Sequence, residues 1–149
     1  MKIELKWSDK MLFVAHAGQH QVPVDARSPI GSNQGMTPKE LLLSALASCT
    51  AMDVAALLKK HRLPLDRFAV DIDAPLSEGG HPKTFLRADI VYRVEGSIDG
   101  NVLLEAVRAS ETKFCGVSAM LSRAFPIEYV VVLNGETIGD GKANFMKSS

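Results

Sequence analysis

The feature that most narrows the possible folds is residues 37–61, TPKELLLSALASCTAMDVAALLKKH. Thr37 can cap free helix amides, Pro38 suits the first helical position, and Glu40 sits where a capping-box acid reaches back. Residues 41–58 then run for five turns with Asp53 as the only charge, and Pro64 is placed to close the helix. A surface helix usually carries one apolar stripe, but this one is apolar nearly all round. Such a helix has to be covered on all sides, by its own sheet, by a partner chain or by lipid. Near its middle sits Cys49, one of only two cysteines.

Lipid is the least suitable cover. Ser44, Ser48, Thr50 and Asp53 lie inside the run, alanines are frequent, and the flanking sequence is strand-like, so a buried helix in a soluble protein is expected. A chain of 149 residues fits one domain, residues 1–149, with room for a core. Its apolar fraction of 46% and charged fraction of 23% are ordinary for a globular protein. Lysine plus arginine equals aspartate plus glutamate, 17 each, and the basic residues are scattered, so neither nucleic acid nor a membrane surface is indicated as partner. The start, MKIELKWSDK, has no apolar core of signal-peptide length, which predicts a cytoplasmic location. The cysteines, Cys49 and Cys115, form no CxxC pair and no disulfide scaffold. In a reducing cytosol they rest as thiols, and a bond between them would be catalytic rather than structural.

Elsewhere the chain alternates like strands. Residues 3–7, 12–15 and 21–24 predict an antiparallel meander, with Pro23 assigning an edge position to the third run. Residues 25–36, DARSPIGSNQGM, predict a loop long enough to be functional or mobile. Residues 68–74 and 85–94 predict two further strands. A second helix is expected over 99–112 from Val102, Leu103, Ala106 and Val107, and a short third one over 117–125, stopped by Pro126. Residues 127–133 are β-rich, and Asn134-Gly135 signals a hairpin into residues 136–138. The tail from 142 to 149 is expected to be loosely held. Elements in this order predict an α+β fold with antiparallel pairing.

Chemistry centres on the two thiols. Cys49 shares a helical face with Leu42, Ala45, Leu46, Met52, Asp53 and Ala56, and burial as a small hydrophobe is its bland alternative. Asp53, one turn on, opposes ionisation of Cys49 if charged, so a reactive thiol there needs a cation from elsewhere. Cys115 sits at the predicted start of the third helix beside Lys113 and Gly116, where free amides and a lysine favour a thiolate; its alternative is a core cap. Local physics alone makes Cys115 the better nucleophile.

The segment Thr37-Pro38-Lys39-Glu40-Leu41-Leu42, followed by Cys49 eleven positions after the proline, resembles the first signature of the OsmC-like proteins, which include the organic hydroperoxide resistance proteins. Lys113-Phe114-Cys115-Gly116-Val117-Ser118 resembles their second signature. The order of elements is similar over nearly the whole chain.

The resemblance implies an OsmC-like fold, an antiparallel sheet with a long buried central helix, in an intertwined homodimer with active sites at the subunit interface. It implies a thiol peroxidase. The cysteine matching Cys49 attacks a small organic hydroperoxide, releases an alcohol and becomes a sulfenic acid. The one matching Cys115 condenses with it to a disulfide, which an external dithiol reduces; no bound cofactor is implied. Trapping a sulfenic acid with a second thiol agrees with the oxidation chemistry of cysteine. The family pattern also has an arginine from the N-terminal region and a glutamate just after the signature proline. Arg27 is the only arginine before the helix, and Lys39 stands where the acid is expected, with Glu40 one step further, about 100° round the helix. Arg27 and Glu40 are therefore the candidate helpers.

Other chemistry finds little support. His16, His20, His61 and His81 have no acidic cluster at metal-ligand spacing, so no metal is expected. There is no GxSxG elbow and no Gly-rich phosphate loop. Lys59, Lys60 and Arg62 suit a helix C-terminus. Met52, Phe114, Met120 and Phe125 are read as core residues that could also line an alkyl pocket. A non-catalytic dimer binding an apolar ligand is the alternative function, and a purely structural dimer the other.

Overall fold

A computed structural model describes residues 1–61 and 65–145. Pro64 as helix stop, Arg62 in the basic helix end, and the last four residues of the tail lie outside the described residues. Two compact units divide the chain within its long helix, residues 1–44 and 45–149.

The first unit holds the meander: β1 (Glu4–Asp9), β2 (Leu12–Ala17) and β3 (His20–Val24) in that order, all antiparallel. Strands β1 and β2 extend past their predicted ends, and the turn into β3 tightens to Gly18 and Gln19. Pro23 lies on the edge strand, opposite Val14, where its missing amide costs no ladder bond. Little of this unit is buried. Ile3, Leu5 and Trp7 are each more than half exposed in the single chain, and Asp25 is the one buried residue.

Asp25 organises the loop that the sequence left as functional or mobile. Its Oδ1 accepts the Ala26 amide at 2.7 Å, and its Oδ2 accepts the Ser32 and Gln34 amides at 3.1 Å each. A Cβ at Gly31 would lie 2.2 Å from the Ala26 carbonyl oxygen, so only glycine fits the turn. The loop ends at α1 (Pro38–Lys60), which starts as the capping motif predicts. Glu40 Oε2 accepts the Thr37 amide at 2.8 Å, and the Glu40 amide reaches back to Thr37 Oγ1 at 3.4 Å.

In the second unit β4 (Arg67–Asp73), β5 (Ala88–Glu95), β6 (Ile127–Leu133) and β7 (Glu136–Lys142) form one sheet in chain order. The α+β class with antiparallel pairing holds except at one pair. Strands β5 and β6 pair in parallel, because helices α2 (Gly100–Ala109) and α3 (Gly116–Leu121) cross over between them instead of a hairpin. The β4–β5 and β6–β7 pairs are antiparallel, the latter through Asn134-Gly135, both at positive φ. Strand β5 starts three residues late, since Phe85 bridges Leu76 instead.

The core follows from strand alternation. Ala88, Ile90, Tyr92 and Val94 of β5 and Ile127, Tyr129 and Val131 of β6 face inward to join Leu103, Ala106 and Val107 of α2. Helix α1 contributes Leu46, Val54 and Leu58, one stripe at four-residue spacing that also includes Thr50. Burial on all sides is not met within one chain; Leu42 and Met52 are exposed. The second and third helices are also shorter than predicted. A π turn over Ser110–Phe114 replaces the end of the second, and the third stops at Leu121.

Candidate active site

The sulfurs of Cys49 and Cys115 and a carboxylate oxygen of Asp53 lie within 4.8 Å of one another. Three local features produce that meeting. Helical spacing stacks Asp53 one turn after Cys49 on α1. The π turn closes on the Cys115 amide, which donates to the Ser110 carbonyl at 3.0 Å. Cys115 then caps α3, its Sγ accepting the Ser118 amide at 3.3 Å.

The two thiols differ in access. Cys49 is half-buried, whereas Cys115 is fully buried. Burial pushes the Cys115 thiol up to about 12; the Ser118 amide pulls the other way, and the Cys49 thiol, hydrogen-bonded to Cys115, adds to the rise. The expectation that helix amides and Lys113 make Cys115 the readier thiolate is therefore overturned. Lys113 instead lies over the Phe114 ring, 5.2 Å from its centre.

Behind the thiols runs a buried chain of polar side chains that sequence reasoning passed over. Ser110 Oγ hydrogen-bonds Asp53 Oδ2 at 3.0 Å, and Thr50 Oγ1 at 2.9 Å. Thr50 Oγ1 meets the Tyr92 hydroxyl at 2.5 Å, and that hydroxyl meets Glu111 Oε1 at 2.6 Å. Glu111 Oε2 accepts Ser118 Oγ at 2.5 Å, which returns the chain to the Cys115 cap. Thr50, Ser110, Glu111 and Ser118 are fully buried, and Tyr92 is held well above its usual range by burial and by Glu111. The alternation of β5 places Tyr92 inward without showing its partners, and Glu111 lies in the π turn beyond α2. A core helix with its polar groups so partnered is built for protein rather than lipid, although α1 has the length and composition to cross a bilayer.

In the first unit Arg27 pairs with Glu40, and the Thr37 amide, then its hydroxyl and Arg27, hold the Glu40 carboxyl below its usual range. Core packing holds for Phe125, edge-on to Phe85 at 5.8 Å, but Met52, Phe114 and Met120 are exposed in the single chain. Among the described residues no histidine joins the Cys49–Asp53–Cys115 cluster. Asp53 and Cys115 already accept internal hydrogen bonds there, an arrangement suited to thiol exchange beside a carboxyl.

The sequence model of the OsmC-like protein family matches residues 31–130. The chain belongs to the OsmC-like family. Protein YhfA of Escherichia coli is 28% identical over 131 residues, covering 87% of this chain and 95% of that protein. A solved protein from Aquifex aeolicus superposes with a TM-score of 0.80 at 26% identity, over 89% of this chain and 95% of that one. An organic hydroperoxide resistance protein from Legionella pneumophila shares the fold, with a TM-score of 0.62 at 12% identity over 89% and 97% of the two chains. Both cysteines fall within the OsmC-like match.

Proposed function

We propose that this OsmC-like protein reduces organic hydroperoxides to alcohols with Cys49 as the attacking thiol and Cys115 as the resolving one. The observation that carries the proposal is the approach of the two sulfurs within 4.8 Å, one reachable and one enclosed. In the first step Cys49 sulfur takes the terminal peroxide oxygen. The O–O bond breaks, the alcohol leaves with the thiol proton, and Cys49 is oxidised to a sulfenic acid. Cys115 then displaces hydroxide from that sulfur to give the disulfide, and an external dithiol restores both thiols. A disulfide needs its sulfurs about 2 Å apart, so the pair closes further on oxidation.

Arg27 and Glu40 are proposed as helpers of the attacking thiol. Exposed Met52, Phe114 and Met120, neighbours of the cysteines in sequence, favour alkyl or lipid peroxides. The protein is proposed to act as a cytoplasmic homodimer, because the apolar faces of β1 and α1 need a cover that one chain does not supply. Lys39, standing where the family pattern has an acid, favours the second reading, a non-catalytic dimer that holds an apolar ligand.

Peroxide consumption by purified variants separates the two. Cys49→Ser abolishes consumption if the proposal holds, while Cys115→Ser leaves a sulfenic acid that dimedone traps. Unchanged consumption in Cys49→Ser would sink it.

A further inference from the structure

Five side chains of the second unit form a line from one carboxyl to another: Asp53, Ser110, Thr50, Tyr92, Glu111. Four contacts join them, and each contact needs one hydrogen. With both carboxyls ionised, only the three hydroxyls of Ser110, Thr50 and Tyr92 supply hydrogens, one apiece. One contact is then two oxygens facing without a proton at 3.0 Å or less, in a setting that is buried except at the half-buried Asp53 end. Adding a single proton to either end satisfies every contact. On Glu111, the hydroxyls all point towards Asp53; on Asp53, they all point towards Glu111. Glu111 Oε2 accepts Ser118 in both cases. Among the described residues no lysine, arginine or histidine pairs with either carboxyl, so no cation removes the need.

We propose that Asp53 and Glu111 share one proton through Ser110, Thr50 and Tyr92, and that this shared proton makes Asp53 the acid–base partner of Cys115 in forming the disulfide. The second half rests on the peroxidase reading given above. Other titratable groups that bear on the line are Cys49 and Cys115 at Asp53, and Cys115 and Tyr129 at Glu111. With the proton on Glu111, Asp53 is a carboxylate beside Cys115. It accepts the Cys115 proton as that sulfur attacks the sulfenic acid of Cys49. The S–H bond of Cys115 and the S–O bond of Cys49 break, an S–S bond forms, and Asp53 passes the proton to the departing hydroxide as water. Cys115 sulfur is oxidised and Cys49 sulfur reduced, so the step needs no further reagent. Asp53 acts on the reacting sulfurs, whereas Ser110, Thr50, Tyr92 and Glu111 are positioning residues that set its proton. Asp53 thus assists the resolving thiol, a role that its simple charge beside Cys49 did not suggest.

Infrared spectroscopy of the reduced protein at neutral pH tests the sharing without any turnover. Wild type should show one buried carboxylic acid C=O band. Asp53→Asn and Glu111→Gln should each remove it, because an amide at either end supplies the missing hydrogen and leaves the other carboxyl ionised. A band absent in wild type, or surviving in either variant, overturns the sharing whatever the peroxide activity. Rapid-quench kinetics with cumene hydroperoxide test the role of the proton. Asp53→Asn should slow disulfide formation about a hundredfold, so that the sulfenic acid accumulates. Ser110→Ala and Tyr92→Phe, two separate breaks in the line, should slow the same step. Wild-type disulfide rates in all three variants overturn the role. If wild type itself forms no sulfenic acid but the bands behave as described, the peroxidase reading fails and the shared proton stands.

Discussion

Cys115 holds its proton more firmly than a free thiol, because burial outweighs the pull of the Ser118 amide and the neighbouring Cys49 and Glu111 add to the rise. Its ordinary value is 9.0 and burial pushes it up to about 12. A group whose value rises on folding stabilises the fold fully below the unfolded value and loses that contribution as pH climbs through the folded one. Under reductant, wild-type resistance to urea should therefore fall between about pH 9 and 12, and Cys115→Ala should fall less steeply. Equal slopes would contradict the burial. Asp25 runs the opposite way: the amides of Gln34, Ala26 and Ser32 hold its carboxyl below the usual 3.8. Its contribution is present above that value and lost as pH drops through the lower folded one. Amide protection in residues 25–36, taken relative to intrinsic exchange at each pH, should fall on acidification in wild type and be low at every pH in Asp25→Ala. At this scale the sequence singled out the thiols, Arg27 and Glu40 as candidates, since each stands in a signature or is the sole residue of its kind there. It did not show Asp25, Glu111 or Tyr92. Their importance comes from partners far along the chain, and a residue's own neighbours carry no record of those.

Among elements, α1 was the most legible, because its cap and its apolar run agree. Thr37→Ala, which removes one side of the capping box, should cost about 1 kcal/mol in thermal unfolding. Gly31 supports a sharper test of the preceding loop. Gly31→Ala pushes a methyl against the Ala26 carbonyl and Asp25 Oδ1, and should destabilise by about 1–3 kcal/mol. No loss of stability would mean that the loop is looser than the Asp25 bonds indicate. The π turn was not legible. Ser110-Glu111-Thr112-Lys113-Phe114 has ordinary helical character, and only the i to i−5 bond of Cys115 marks the extra residue. That extra residue turns both Ser110 and Glu111 inward and swings Cys115 to the start of α3. The parallel β5–β6 pair was missed for a related reason: alternation in a strand reports which side is buried, not the direction of its neighbour.

For the whole molecule, the apolar fraction was enough to predict a core but not where each part of it is covered. The second unit buries its own core, whereas Ile3, Leu5 and Trp7 in the first unit and Met52 and Met120 in the second remain exposed in one chain. A dimer should cover them. Trp7, the sole tryptophan, reports directly: the protein should sediment at twice the chain mass, and dilution to monomer should red-shift Trp7 emission. A monomer at micromolar concentration would leave those faces unexplained. The decisive measurement concerns the sulfurs themselves. Reduced protein treated with one equivalent of cumene hydroperoxide, quenched and alkylated under denaturing conditions, is read by mass spectrometry. Thiol catalysis requires rapid loss of both free thiols within one chain, with the Cys49 and Cys115 peptides joined and two hydrogens lighter. Both thiols alkylating in full after many minutes in excess peroxide would contradict it.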